Sequence, residues 1–104
     1  MPIAKKWSHY TKANVQSEPD NYGVYELGNT STGEVLYIGE GHIRSRLLAH
    51  LPDGTRTHEN VVGADGYRYE LTGGKEKAEQ GERALLKAFK AKNGRLPKYN
   101  QQHP

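Results

Sequence analysis

Two short β-rich runs, Tyr22–Leu27 and Val35–Gly39, flank a stretch of turn residues, Gly28-Asn29-Thr30-Ser31-Thr32-Gly33-Glu34. Aromatic and β-branched residues on either side of a Gly/Asn/Ser connection predict an antiparallel hairpin. In a chain of 104 residues, 34% of them hydrophobic, that hairpin has to sit at the centre of one small domain. Its core is thin and cannot tolerate an idle buried charge. A connection centred on Ser31 puts Tyr25 directly across from Tyr37, and cross-strand partners share a face of the sheet. Two tyrosines are therefore expected to project together.

The first sixteen residues are polar and basic, with Trp7, Tyr10 and Val15 as large anchors. They read as an irregular arm or short helix, so residues 1–21 form an expected N-terminal arm and residues 22–104 a single domain. Ser17-Glu18-Pro19-Asp20-Asn21 is loop chemistry. After Gly39-Glu40-Gly41, the segment Ile43–Leu51 has helical spacing and is stopped by Pro52 and Asp53-Gly54. Arg46 and His50 are one turn apart and emerge side by side, next to the stripe made by Ile43 and Leu47. Residues 53–66 are loop-like, with a brief extended piece at Val61-Val62. Tyr67–Leu71 alternates with period two and reads as a third strand, ended by Gly73-Gly74.

From Lys75 to about Lys92 runs a helix with Ala78, Leu85, Leu86 and Phe89 on its apolar stripe and Lys75, Arg83, Lys87 and Lys90 exposed. Glu82 falls inside that stripe. An unpaired buried carboxylate would cost roughly several kcal/mol or become neutral. Glu82 thus either snorkels or pairs at the stripe's edge, or has a chemical task, and periodicity favours neither.

Composition removes whole classes of function. There is no cysteine, hence no disulfide, no Cys-based zinc site and no thiol catalysis, which fits a reducing cytoplasm. No apolar run is long enough for a membrane span, and the N-terminus lacks the apolar region of a secretion signal. The net charge is only +3, but residues 17–41 hold five acids and no base, whereas residues 75–98 hold eight bases and three acids. A polyanion would feel the C-terminal segment first, although a Lys-rich helix is usually just a solvated face. Glu40-x-His42 with His50 is a poor metal set, and Gly39-Glu40-Gly41 lacks the Gly-Lys-Ser/Thr ending of a P-loop.

Gly23-Val24-Tyr25 followed by Tyr37-Ile38-Gly39 resembles the two signature strands of the GIY-YIG nuclease family. The similarity continues through Arg46 and His50 in Arg-x-x-x-His spacing, through Glu82-Arg83-Ala84-Leu85-Leu86-Lys87, and through Pro97-Lys98-Tyr99-Asn100. It spans roughly residues 22–100. Each piece is short and common, but five in family order are specific. The resemblance implies an α+β fold, a three-stranded antiparallel sheet flanked by helices. Two departures stand out. The loop between Gly39 and Arg46 is about one residue shorter than in DNA-repair members, and Glu40 stands where those members often carry Lys. A carboxylate there would repel a phosphate or help hold a cation.

The same resemblance implies a Mg²⁺- or Mn²⁺-dependent endonuclease that hydrolyses phosphodiester bonds, with DNA the expected nucleic acid. Such chemistry needs a base for water, positive charge for the phosphorane and help for the leaving oxygen. Similarity assigns Glu82 as the single metal ligand and Arg46 as the phosphate clamp. Tyr25 or Tyr37 would activate water, His50 would relay a proton, and Asn100 would hydrogen-bond near the site and hold the C-terminal segment. Arg44, Lys87, Lys90 and Lys98 are the expected nucleic-acid contacts. With no room for an appended recognition domain, a homodimer or a partner protein is expected to supply specificity. Two rival readings are a non-catalytic nucleic-acid-binding module on the same scaffold and a small protein-interaction domain.

Overall fold

The computed structural model describes residues 3, 6–51 and 61–100. The expected stop of the second helix at Pro52 and Asp53-Gly54 lies outside them. In chain order the elements are β1 (Ser8–His9), α1 (Lys12–Gln16), β2 (Tyr22–Asn29), β3 (Glu34–His42), α2 (Ile43–Ala49), β4 (Gly66–Leu71), α3 (Lys75–Asn93) and a closing 3-10 turn at Lys98–Asn100. The strands form one antiparallel sheet in the order β1-β4-β2-β3. The architecture is the expected α+β one, with a correction: the sheet has four strands, not three. The extra one is Ser8–His9, which pairs with Tyr67 and Gly66. Two polar, exposed residues carry no strand signal; only backbone pairing defines them.

The register also differs from expectation. Tyr25 pairs with Gly39, and Tyr37 lies opposite Leu27. Two local features account for the offset. The connection is four residues, Thr30 to Gly33, between paired Asn29 and Glu34, closed by the Gly33 N–H donating to the Asn29 carbonyl at 2.8 Å. This moves the centre of the turn half a residue past Ser31. A β-bulge then shifts the register between Leu27 and Gly28, leaving Leu36 as the extra residue. The total slip is two residues, and an even slip preserves which face a side chain occupies. Tyr25 and Tyr37 are diagonal neighbours rather than direct partners, and they still project together.

Helices cover both faces. On one, Tyr10, Val15, Tyr25, Leu27, Leu36, Ile43, Leu47, Val61 and Tyr67 form the larger core cluster under α1 and α2. The bulge explains why consecutive Leu36 and Tyr37 both serve this face. On the other, α3 packs Leu85, with Leu86 and Phe89 beside it, onto Val24 and Ile38. Described residues of the 1–21 segment contact this core. Ile3 and Val15 are buried, and the Tyr10 hydroxyl donates to the Leu47 carbonyl at 2.5 Å. Trp7 lies under the Arg68 guanidinium, 4.1 Å from its ring centroid. Among the described residues no helix is long and apolar enough to cross a membrane.

Candidate active site

The segment Pro19–Asn21, loop chemistry by sequence, fixes the start of α2. The Ile43 N–H donates to the Asn21 carbonyl (3.0 Å) and the Arg44 N–H to the Pro19 carbonyl (3.3 Å). The Ser45 N–H donates to Asp20 Oδ1 at 2.8 Å, and its hydroxyl to Oδ2 at 2.8 Å. Three free N–H groups of the first turn thus find partners in one loop. The same bonds, the Ser45 N–H foremost, hold the Asp20 carboxyl below its usual range. Neither Asp20 nor its role had a signal in the periodic pattern; an Asp shortly before a hairpin reads simply as loop.

One turn further, α2 delivers Arg46 and His50 to the tyrosine face. His50 is 3% exposed; its Nε2 lies 2.8 Å from the Tyr25 hydroxyl and 3.5 Å from Arg46 Nη2. Arginine can only donate; an imidazole with Nε2 unprotonated would accept there from the Tyr25 hydroxyl, and the direction of the bond follows the tautomer. The Tyr37 ring stacks obliquely beside them, 4.8 Å from the imidazole and 6.2 Å from the Tyr25 ring. Four of the six expected catalytic side chains therefore meet on one face.

The two tyrosines are not equivalent. Tyr25 is 1% exposed, and burial, reinforced by neighbouring Tyr37 and opposed by Arg46, pushes its phenol well above the usual value near 10. Tyr37 is only half-buried. The burial of Tyr25 depends on Gly39, its cross-strand partner, because a Cβ there would collide with the Tyr25 hydroxyl and ring. Gly41 is constrained twice, by a φ of +130° and by Arg46 Cγ lying 3.0 Å from where a Cβ would be. The glycines of this strand thus make room for the aromatic and arginine side chains.

Glu82 stands on α3, which covers the opposite face of the sheet. It is half-buried, and its carboxyl is pushed up, first by desolvation and then by the charge of Glu40. Glu40 Oε2 is buried with no hydrogen-bond partner. An unsatisfied carboxylate oxygen beside a second carboxylate is a donor set suited to a hard divalent cation, so the residues present fit a Mg²⁺-type ion. Among the described residues no group of three or more His, Cys, Asp or Glu could hold a metal. Because β3 is the edge strand, groups on its two faces can address one substrate around that edge. Arg46 passes Gly41, the residue after Glu40, with its Cγ 3.0 Å from where a Cβ would be.

Asn100 is placed at that edge. Its Oδ1 accepts from the Ile38 N–H and its Nδ2 donates to the Ile38 carbonyl, both at 2.9 Å. The side chain thereby pairs with the strand as a neighbouring strand would, and ties down the closing turn. The basic candidates are scattered: Arg44 on α2, Lys87 and Lys90 on α3, and Lys98 in the closing turn, all exposed. A cavity of about 390 Å³, lined by residues including Glu26, Arg68, Phe89 and Arg95, lies away from the tyrosine cluster.

Residues 1–92 match the family model described as Domain of unknown function (DUF7508). No curated protein sequence matches the chain. Among solved structures, the chain is similar to the GIY-YIG N-terminal endonuclease domain of UvrC from Thermotoga maritima bound to its catalytic divalent cation, magnesium. Identity is 25%, the TM-score is 0.65, and the match covers 85% of this chain and 92% of that one. A point mutant of the same domain, asparagine to alanine, also bound to its catalytic divalent cation, matches at 24% identity with a TM-score of 0.64, covering 85% and 91%. A tyrosine-to-phenylalanine mutant matches at 24% with a TM-score of 0.65, covering 85% and 92%.

Proposed function

The chain belongs to the family described as Domain of unknown function (DUF7508) and has the GIY-YIG domain fold, and from that premise we propose that it is a metal-dependent endonuclease acting on DNA. The observation that carries the reading is the Tyr25–His50–Arg46 contact chain beside the more accessible Tyr37. Tyr37 is assigned as the phenol that orients water and, by passing its own proton on to a second base, takes one from it, since such a group has to reach solvent. Tyr25, buried and with its proton held more tightly than usual, serves as the hydrogen-bond donor that fixes the His50 ring. His50, with Nε2 unprotonated, would be the base that takes that proton, by way of the Tyr25 hydroxyl 2.8 Å away. Arg46, half-buried at the rim, presents the rest of its planar fork to a phosphate.

Glu82 is the residue that would hold the cation, Mg²⁺ or Mn²⁺. The bound ion would supply Lewis-acid stabilisation of the leaving oxygen. Lys87, Lys90, Lys98 and Arg44 would contact the phosphate backbone around the site, in the reading where the basic segment faces nucleic acid. A second copy of the chain or a partner protein would select the site of cutting, and the setting would be the cytoplasm.

The test is a cleavage assay with labelled single-stranded, duplex and branched DNA, and RNA, in Mg²⁺, Mn²⁺ or EDTA. Metal-dependent cutting is expected, abolished in Glu82→Ala and lowered roughly 10²–10⁴-fold in Tyr37→Phe. Tyr25→Phe should cost less, since it removes an orienting bond rather than the base. No cleavage of any substrate, with salt-sensitive binding equal in wild type and variants, would instead leave a nucleic-acid-binding module.

A further inference from the structure

We propose that Glu40 is a second carboxylate ligand, so that β3 and α3 together hold one hard divalent cation between the Glu40 and Glu82 side chains. This rests on the reading of Glu82 as a metal ligand and adds a residue to it.

Register places the two groups together. Glu40 and Val24 are direct cross-strand partners, so their side chains share a face. That face is the one α3 covers, since Val24 packs in the same cluster as Leu85. The helix closes on this spot through Gly81, where a Cβ would lie 2.9 Å from Val24 Cγ1. The next residue is Glu82. The glycine lets the helix approach, and the approach brings its carboxylate to the flank where Glu40 stands.

Glu40 is the less comfortable member. Its Oε2 is shielded from water and accepts no hydrogen bond. A buried carboxylate oxygen without a donor is costly, and the like charge of Glu82 on the facing helix adds repulsion. The Arg46 guanidinium meets Tyr25 and His50 on the opposite face, among other partners, and Arg83 is on the exposed side of α3. A divalent ion relieves both defects at once. It completes the coordination of the orphaned oxygen and converts the repulsion into shared ligation. Mg²⁺ and Mn²⁺ accept one or two carboxylates and keep water for the rest of their shell, so two ligands suffice. The consequence for function is a conditional site: without the ion, two negative charges confront an incoming phosphate, and with it the local charge is balanced.

The experiment is calorimetric titration of the full chain with Mn²⁺, alongside the melting temperature with and without the ion. Wild type should bind one ion and melt at a higher temperature in its presence. Glu40→Gln should weaken binding roughly tenfold or more and lose the metal-dependent rise, while its melting temperature in EDTA stays at or above that of wild type. Glu40→Ala should behave alike, which separates loss of the ligand from any effect of the amide. Wild-type affinity in Glu40→Gln together with lost binding in Glu82→Gln overturns this proposal and leaves Glu82 as sole ligand. No Mn²⁺ binding by wild type, or undiminished binding in Glu82→Gln, overturns both readings.

Discussion

Arg68 shows how a thin core accommodates a charge. Its Nε donates to Glu26 Oε1 at 2.6 Å, and Glu26 is 2% exposed. Burial still raises the Glu26 carboxyl above its usual range, with Arg68 pulling the other way. The sign follows directly: a carboxyl raised by folding favours the native state most when protonated, and that contribution is lost as pH rises through the raised value. Arg68→Met strands the carboxylate, so it should cost about 3–5 kcal/mol at pH 7 and clearly less near pH 4, where Glu26 takes up a proton. Urea titrations at the two pH values check this; equal losses would show that Arg68 matters through packing on Trp7 rather than through charge. Replacing both members by apolar residues of similar volume should restore most of the stability.

Helix α2 is seven residues long, too short to hold itself together in water. Its persistence depends on what surrounds it: Ile43 and Leu47 fully buried beneath it and Pro19–Asn21 capping its first turn. Since α2 carries Arg46 and His50, this cap is the remote support of the candidate site. Asp20→Ala should destabilise the protein by about 1 kcal/mol at neutral pH. The Asp20 carboxyl is lowered by folding, so its stabilisation is present above the ordinary aspartate range and fades as pH falls through the depressed value. Wild type and variant should therefore converge in strong acid when chemical denaturation is followed across pH. A gap that persists there would mean that the Asp20 side chain acts through packing or uncharged hydrogen bonds rather than through its charge.

The whole molecule is organised about the edges of one sheet. Among the described residues β1 and β3 are those edges, and the candidate site stands at β3. Open edges invite pairing with other chains, and here Asn100 occupies part of the edge by bonding both backbone groups of Ile38. Asn100→Ala should cost about 1–3 kcal/mol and accelerate hydrogen exchange at the Ile38 amide specifically. Unchanged protection at Ile38 would remove this strapping role.

Much of this was legible before any coordinates. β-rich runs on either side of a turn marked β2 and β3, and period-two alternation marked β4; period-3.6 spacing marked α2 and α3, and it exposed Glu82 as the polar residue in an apolar stripe. These are local signals, generated by whichever neighbour a side chain meets within one turn or one pleat. What the chain alone left open was non-local. β1 exists only because β4 is beside it. The Tyr25–Tyr37 pairing depended on a bulge at Leu36 that no composition rule locates, and it kept the shared face only because the slip was even. The inequality of the two tyrosines came from burial against Gly39, and the influence of the Glu40 charge on Glu82 from a helix closing on Val24. The amino-acid sequence by itself determined which residues have chemistry to offer and which elements carry them. Tertiary packing decided which groups are dry, which meet and which reach solvent, because burial and proximity across elements are properties of the folded chain and not of any window along it.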